Sequence, residues 1–324
     1  MSVMFGMRFD FRNPEFAGTS MAERYDAALE MAEWADRLGC VSITVSEHHG
    51  SPDGYLPSPL PMLAAMAART TNVNLMIAAL IAPFHDPLRL AEDLLVLDHL
   101  SRGRVDAIVA GGYVGEEFDM FGVPIGERAK RVTETVETLR AAFSGEAFEF
   151  RGRTVRVTPA PHRPAGPGIM LGGSSDAAAR RAARIADGFI PSIPEVWEAY
   201  RDECLKLGKP DPGPSMLPPA HTVALADDAD AGWAAFAPYF LHETNAYGRW
   251  IAGSGTAGPY KEVSDPNELR AMGEYSVVTP DQMIANLKAA PFPFVMFHPM
   301  CGGTPPELAW SSLRLFESEV LNAL

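Results

Sequence analysis

Glu47, His48 and His49 stand together in "VSITVSEHHGSPDGYLP", residues 41–57, where an ordered run gives way to Gly50, Pro52 and Gly54. Val41, Ile43 and Val45 alternate with Ser42, Thr44 and Ser46, which is the period of a strand. Histidine titrates nearest neutrality, so it donates or accepts a proton at little cost. A neighbouring carboxylate orients the ring and favours its charged form. The bland alternative is a polar strand end meeting water. A metal is not expected, because adjacent residues on an extended segment point in opposite directions and seldom reach one ion. His85, His99 and His298 are scattered, and no HExxH occurs.

Two further stretches have strand-to-loop character. "LGGSSDAAARRAARIADG", residues 171–188, runs from a strand through Gly172, Gly173, Ser174 and Ser175 into a helix. Unpaired N–H groups at that helix start, with two hydroxyls, suit a phosphate, although a serine-capped β–α turn has the same composition. In "AGGYVGEEF", residues 110–118, Ala110, Gly111 and Gly112 would let backbone approach a flat ligand. Gly253, Gly255 and Gly258 match GxGxxG by chance, since Pro259 follows inside an irregular region. No P-loop and no GxSxG elbow is present.

The elements that must position these residues alternate along the chain. Strands are predicted at Met7–Phe11, Val41–Ser46, Asn74–Ile81, Val105–Ala110, Ile169–Leu171, Phe189–Ser192, His221–Ala226 and Phe294–Phe297. Helices are predicted between them, including one with Trp233, Phe236 and Phe240 on one side, bent or broken at Pro238. Residues 144–167 read as a β-hairpin excursion, and 248–278, rich in Gly, Ser and Pro, as an irregular loop or lid. Eight alternating units favour one α/β domain over 1–324, a (β/α)8 TIM-type barrel, over a doubly wound open sheet. In such a barrel the residues just after each strand share the catalytic face, so Glu47, His48 and His49 fall there, and His298 joins them after the last strand.

The totals agree with a folded enzyme: 324 residues, 47% hydrophobic and 21% charged. Lys+Arg 27 against Asp+Glu 41 gives a net charge of −14, which argues against a general nucleic-acid binder. No apolar run is long enough for a membrane span and no secretory signal is visible, so a cytoplasmic location is expected. Cys40, Cys204 and Cys301 read as reduced thiols.

In combination, "SEHHG" at 46–50, "APFHDPLRLAEDLLVLDHLSRGRVDAIVAGGYVGEEFDMFGVP" at 82–124, the LGGSS helix start and "MCGGTPPELAWSSLRLFESEVLNAL" resemble the bacterial luciferase-like flavin-dependent monooxygenase family. The resemblance implies a barrel that binds reduced FMN, supplied by a separate flavin reductase, or in sister groups a reduced deazaflavin. It implies oxidation of a small organic substrate with dioxygen, and a homodimer. By carry-over His48 is the active-site acid/base or peroxide stabiliser, with Glu47 and His49 beside it. Ala78 and Ala79 lie against the flavin ring, and Gly173, Ser174 and Ser175 hold the phosphate. Tyr55, His298 and the 248–278 segment are expected around the substrate. Where many members carry a phosphate-binding Arg after strand four, this chain has Gly111. Either another basic residue substitutes, or the cofactor is held more weakly, or a different flavin is used. A deazaflavin oxidoreductase that transfers hydride and a non-catalytic flavin-binding barrel are the alternative readings.

Overall fold

Near-continuous apolar runs such as Asn74–Ile81, "NLMIAALI", have no polar face to turn to water, so they are stable only with cover on both sides. In the computed structural model, which describes residues 3–215 and 221–324, that cover is helical. Nine strands form one parallel sheet: β1 Met4–Phe9, β2 Ser42–Val45, β3 Asn74–Ile81, β4 Val105–Ala110, β7 Gly168–Gly173, β8 Gly188–Pro191, β9 Thr222–Leu225, β10 Tyr275–Val278 and β11 Phe294–Phe297. β5 Phe148–Phe150 and β6 Arg153–Val155 pair antiparallel as a separate hairpin inside the 144–167 excursion. The helices are α1 Met21–Arg37, α2 Pro59–Arg69, α3 Pro87–Ser101, α4 Gly115–Phe121, α5 Arg128–Phe143 and α6 Asp176–Ile185. α7 Trp197–Lys206, α8 Ala229–Ser254, α9 Pro266–Met272, α10 Pro280–Ala289 and α11 Pro306–Leu315 complete the set.

The sheet order is β10-β9-β11-β1-β2-β3-β4-β7-β8. This is the strand succession of a TIM-type barrel with β10 inserted beside β9. No backbone ladder joins β8 to β10 or β9 among the described residues. Parallel crossovers put every strand's C-terminal end on one face. Between the sheet and the segment after α11 aromatic rings pack: Phe5 meets Phe316 at 5.2 Å, and Phe297 meets Phe316 at 4.8 Å.

Two expectations are corrected. The 248–278 segment is not one irregular lid: α8 runs through Ser254, and α9 and β10 occupy most of 266–278. These pieces are seven and four residues long, too short to show a period, and they fold because Leu269, Tyr275 and Val277 pack on Trp233, Phe236 and Phe240. Only about 255–265 crosses the cavity mouth without regular structure. Pro238 does not break its helix either, since α8 is continuous over 26 residues. That apolar face gains more from burial than one missing backbone hydrogen bond costs. Caps mark several helix starts: Asp86 accepts from the N–H groups of Leu88 and Arg89, and Thr279 and Gln282 form a capping box. Ser58 makes no such bond, and α2 begins on Pro59 alone.

Candidate active site

A cavity of about 660 Å³ opens at the C-terminal ends of the strands. Glu47 and His48 reach it from the end of β2, Ala78 and Ala79 from β3, and Ala110 and Gly111 from β4. Gly172, Gly173, Ser174 and Ser175 reach it from β7, so four stretches distant in sequence converge on one space. Register accounts for this: Ala78 pairs with Ile108, and Ile81 with Ala110, so the side-chain-poor ends of β3 and β4 lie level. The Ala78–Ala79 peptide is cis, at the register shift between Ala78 and Leu80. Gly112 has φ +71°, and a Cβ there would come 2.8 Å from Ile81 Cγ2, so this turn requires glycine.

His48 is fixed on every side. Its Nδ1 lies 2.7 Å from Oε1 of Glu117, the carboxylate on α4 that also accepts the His49 backbone N–H at 2.8 Å. Its ring stacks on Trp250 at 4.3 Å and meets the edge of Tyr55 at 4.8 Å. A carboxylate at Nδ1 makes that nitrogen the donor, leaving the Nε2 lone pair for the cavity. Nε2 makes no hydrogen bond among the described residues. Glu47 and His49 are doing something else. His49 does not line the cavity; its Nε2 meets Glu47 Oε1 at 2.9 Å and its ring packs against Phe84 and Phe121. Alternation along an extended chain turns it away from His48. Glu47 also accepts from His85 and from the Ile81 N–H, at 2.8 and 2.7 Å, which ties β2 to the end of β3. Burial pushes its carboxyl up, but the hydrogen bonds from His49, His85 and Ile81 outweigh this and hold it below the usual range.

The other end of the cavity is cationic. Ser175 caps α6, its hydroxyl accepting from the Ala178 N–H. Arg128, the first residue of α5, and Arg181 on α6 line the same end, and neither makes an ion pair among the described residues. Arg128 packs over Gly111, where an added Cβ would lie 3.7 Å from Arg128 Cγ. The stem of Arg128, from α5, thus lies beside the position where many relatives were expected to carry an arginine. Burial and nearby Arg184 hold the Arg181 pKa down, as expected for a cation without a counter-charge. Asp176, the acid in this turn, is exposed and pairs with Arg180.

The sequence profile of the luciferase-like monooxygenases matches residues 4–289. The chain belongs to this family. The luciferase-like chain is 28% identical over 240 residues to the uncharacterised protein y4wF of Sinorhizobium fredii, covering 71% of this chain and 70% of that one. It is 33% identical over 206 residues to the F420-dependent glucose-6-phosphate dehydrogenase of Nakamurella multipartita, spanning 59% of each, so that relative is matched over less than two thirds of its length. Among solved structures, monooxygenase RslO1 from Streptomyces bottropensis superposes with a TM-score of 0.76 at 26% identity, over 100% of this chain and 99% of that one. The oxygenating constituent of 3,6-diketocamphane monooxygenase from Pseudomonas putida, in complex with FMN, gives 0.71 at 20% identity over 100% and 99%, a likeness of fold.

Beneath the luciferase-like cavity lies a buried ionic floor. Arg8 on β1 donates from Nη2 to Glu243 Oε1 at 2.9 Å. Tyr275 and Cys301 donate to Glu243 Oε2 at 2.8 and 2.9 Å. His298 does not line the cavity as expected of a substrate contact; it is buried one layer below, Nδ1 3.2 Å from Glu243 and Nε2 3.4 Å from Asp10. Burial and Arg8 disfavour its charged form, but Asp10 and Glu243 more than offset them, so its pKa is raised. The turn after β11 is pressed onto α8: Gly302 has φ +57°, and a Cβ there would overlap the Tyr239 carbonyl. Glu243, His298 and Cys301 place ligand atoms within 4.8 Å of one another, a spacing a metal could use. Here both carboxylate oxygens already accept from Arg8, Tyr275 and Cys301, and a guanidinium at 2.9 Å opposes a second cation. Beside this group Arg12 is fully buried, paired with Asp53 and Asp10, and lies over the rings of Tyr55, Tyr247 and Trp250 at 4.7, 4.9 and 4.7 Å.

Sequence reasoning missed Arg8, Glu117, Arg128, Arg181 and the aromatic set Tyr113, Tyr247, Trp250 and Tyr260. Glu117 follows a strand by a few residues and was within reach of the barrel rule. Tyr113 lies in the same post-strand stretch, Arg8 sits within β1, and the others sit inside or beyond helices, where no local pattern separates a cavity-facing side chain from an ordinary one.

Proposed function

We propose that this luciferase-like monooxygenase binds reduced FMN and uses it with dioxygen to oxidise a small organic substrate. The observation that carries the reading is the meeting of the small-residue ends of β3 and β4, His48 and the Ser174–Ser175 turn in one cavity. The residues present suit the cofactor. Ala78, Ala79, Ala110 and Gly111 leave flat, side-chain-poor walls for a planar ring. Arg128, Arg181, the Ser174 and Ser175 hydroxyls and the start of α6 supply cations and donors for a terminal phosphate dianion. FMN when bound supplies the dioxygen and electron chemistry that side chains cannot.

The protein's part is placement and proton handling. Glu117 holds His48 as the Nδ1–H tautomer, so that Nε2 takes or returns a proton at the reacting end. Tyr113, Tyr247, Ile251, Pro259 and Tyr260 close the cavity with rings and aliphatic surface and limit water. A separate reductase supplies the reduced cofactor, consistent with 253–258 being a helix end rather than a dinucleotide-binding turn. A homodimer belongs to the same reading, supported by exposed Val96, Leu100 and Met120. Among the described residues no helix is long and apolar enough to cross a membrane.

A second reading, a deazaflavin oxidoreductase without oxygen insertion, is favoured by the F420-dependent relative. Oxygen uptake with chemically reduced FMN, compared with anaerobic turnover on reduced F420, separates the two. Substrate-dependent oxygen consumption that His48→Asn abolishes supports the first. Anaerobic turnover with F420 alone replaces it with the second.

A further inference from the structure

The cavity has an end remote from the Ser174–Ser175 turn. Arg8 stands on β1, four ladder steps through β2, β3 and β4 to β7 away from the Ser174–Ser175 turn, so it faces the space from the side opposite the phosphate end. Its side chain remains 28% exposed, beside Tyr247 and Tyr260.

The carboxylates behind Arg8 are each shared with other partners. Glu243 is shared among Arg8, His298, Tyr275 and Cys301. Asp10 is shared by Arg12 and His298, and Asp53 by Arg12 and His242. Arg24 is buried and meets the carbonyl oxygens of Met300, Gly303 and Thr304. Arg8, Arg12 and Arg24 stand against Asp10, Asp53 and Glu243, and each of these carboxylates is shared with a histidine as well. Of the three arginines, Arg8 is the one that lines the cavity.

The geometry at Arg8 narrows what it can hold. Its Nη2 hydrogens point to Glu243 Oε1 at 2.9 Å and Thr222 Oγ1 at 3.4 Å. Both ways of gripping a carboxylate with two parallel N–H groups need Nη2, so a bidentate fork is blocked. One acceptor oxygen still fits, with the Tyr260 hydroxyl beside it as a second donor; burial pushes that phenol up to about 12, so it keeps its proton. Tyr247 and Tyr260 are stacked at 4.7 Å and offer an aromatic wall.

We propose that the substrate is a ring compound with an acidic hydroxyl, a phenol or enol, whose ionised oxygen rests on Arg8 and whose ring lies along the Tyr247–Tyr260 wall. The proposal rests on the flavin reading only in leaving the phosphate end to the cofactor.

The test is an equilibrium titration of the full chain with 4-nitrophenol, whose ionised form absorbs in the visible, with and without FMN. The cation beside the bound phenol is expected to lower its ionisation midpoint by about one pH unit, roughly a tenfold rise in ionised to neutral ratio. Arg8→Gln removes that shift, Arg8→Lys keeps it, and neutral 4-nitroanisole binds all three proteins alike. If Arg8→Gln fails to fold with Glu243 left unpaired, the Arg8→Gln/Glu243→Gln double variant gives the same readout. An unshifted midpoint, an equal shift in the glutamine variant, tighter binding of 4-nitrobenzoate, or displacement of the phenol by FMN overturns the proposal. FMN fluorescence quenching on the same samples keeps the readings apart: wild-type protein that shifts the phenol but ignores FMN supports this proposal and defeats the cofactor.

Discussion

Glu117 Oε1 lies 2.7 Å from Nδ1 of His48 and accepts the backbone N–H of His49 as well. One buried carboxylate thus fixes both the tautomer of the ring and the turn that carries it. Glu117→Gln offers an amide whose oxygen can still accept, so the ring is retained but its basicity falls. Turnover should drop about tenfold or more, with the pH–rate profile displaced and FMN affinity unchanged. A variant with the wild-type rate and profile would leave Glu117 a structural residue.

The phosphate end should be separable from the ring. Arg128→Ala and Arg181→Ala should each weaken FMN by roughly 10-fold or more, the scale of one charge-assisted hydrogen bond. Riboflavin, which lacks the phosphate, should bind wild type and variants alike. Titrations in which both ligands weaken in parallel would place these arginines elsewhere.

Arg12 is fully buried and enclosed by Asp10, Asp53 and three aromatic rings. Removing one partner of a buried pair leaves the other charge uncompensated. Asp53→Asn should therefore cost about 3–5 kcal/mol in denaturant unfolding. A loss under about 1 kcal/mol would show that Asp10 alone suffices.

His298 gives a pH signature. Its pKa is raised in the folded protein by Asp10 and Glu243 against burial and Arg8, so its contribution is complete below the unfolded value of 6.5. The contribution is lost as pH rises through the folded value, by about 1.4 kcal/mol for each unit of displacement. Comparing wild type with His298→Gln, the stability difference should be largest in mild acid and shrink above neutrality. A gap that widens with pH would contradict the assignment.

Much of this arrangement was legible in the residues. The double-sided apolar run of β3 announced a parallel strand, the strand-end rule put His48 on the cavity face, and the family resemblance added Ala78 and Ala79, which line the same cavity with Gly111 and Ser174. What escaped had physical reasons. His49 and His298 were grouped with His48 by type and position, but side-chain direction alternates along a strand end, and burial under Arg8 is a tertiary fact. Arg128 and Arg181 are helical cations like many others until the turn opposite leaves them without a carboxylate. β10 is a four-residue strand in a Gly- and Pro-rich stretch, visible only once α8 supplies its aromatic face.

The account depends most on what fills the cavity. Fluorescence titration of the purified chain with FMN and with F420, in parallel with the Arg128→Ala/Arg181→Ala double variant, tests it most directly. Saturable FMN binding that the double variant weakens at least 10-fold, with F420 much weaker, is the predicted result. Tight F420 binding with no response to FMN, or FMN binding indifferent to both arginines, would contradict it.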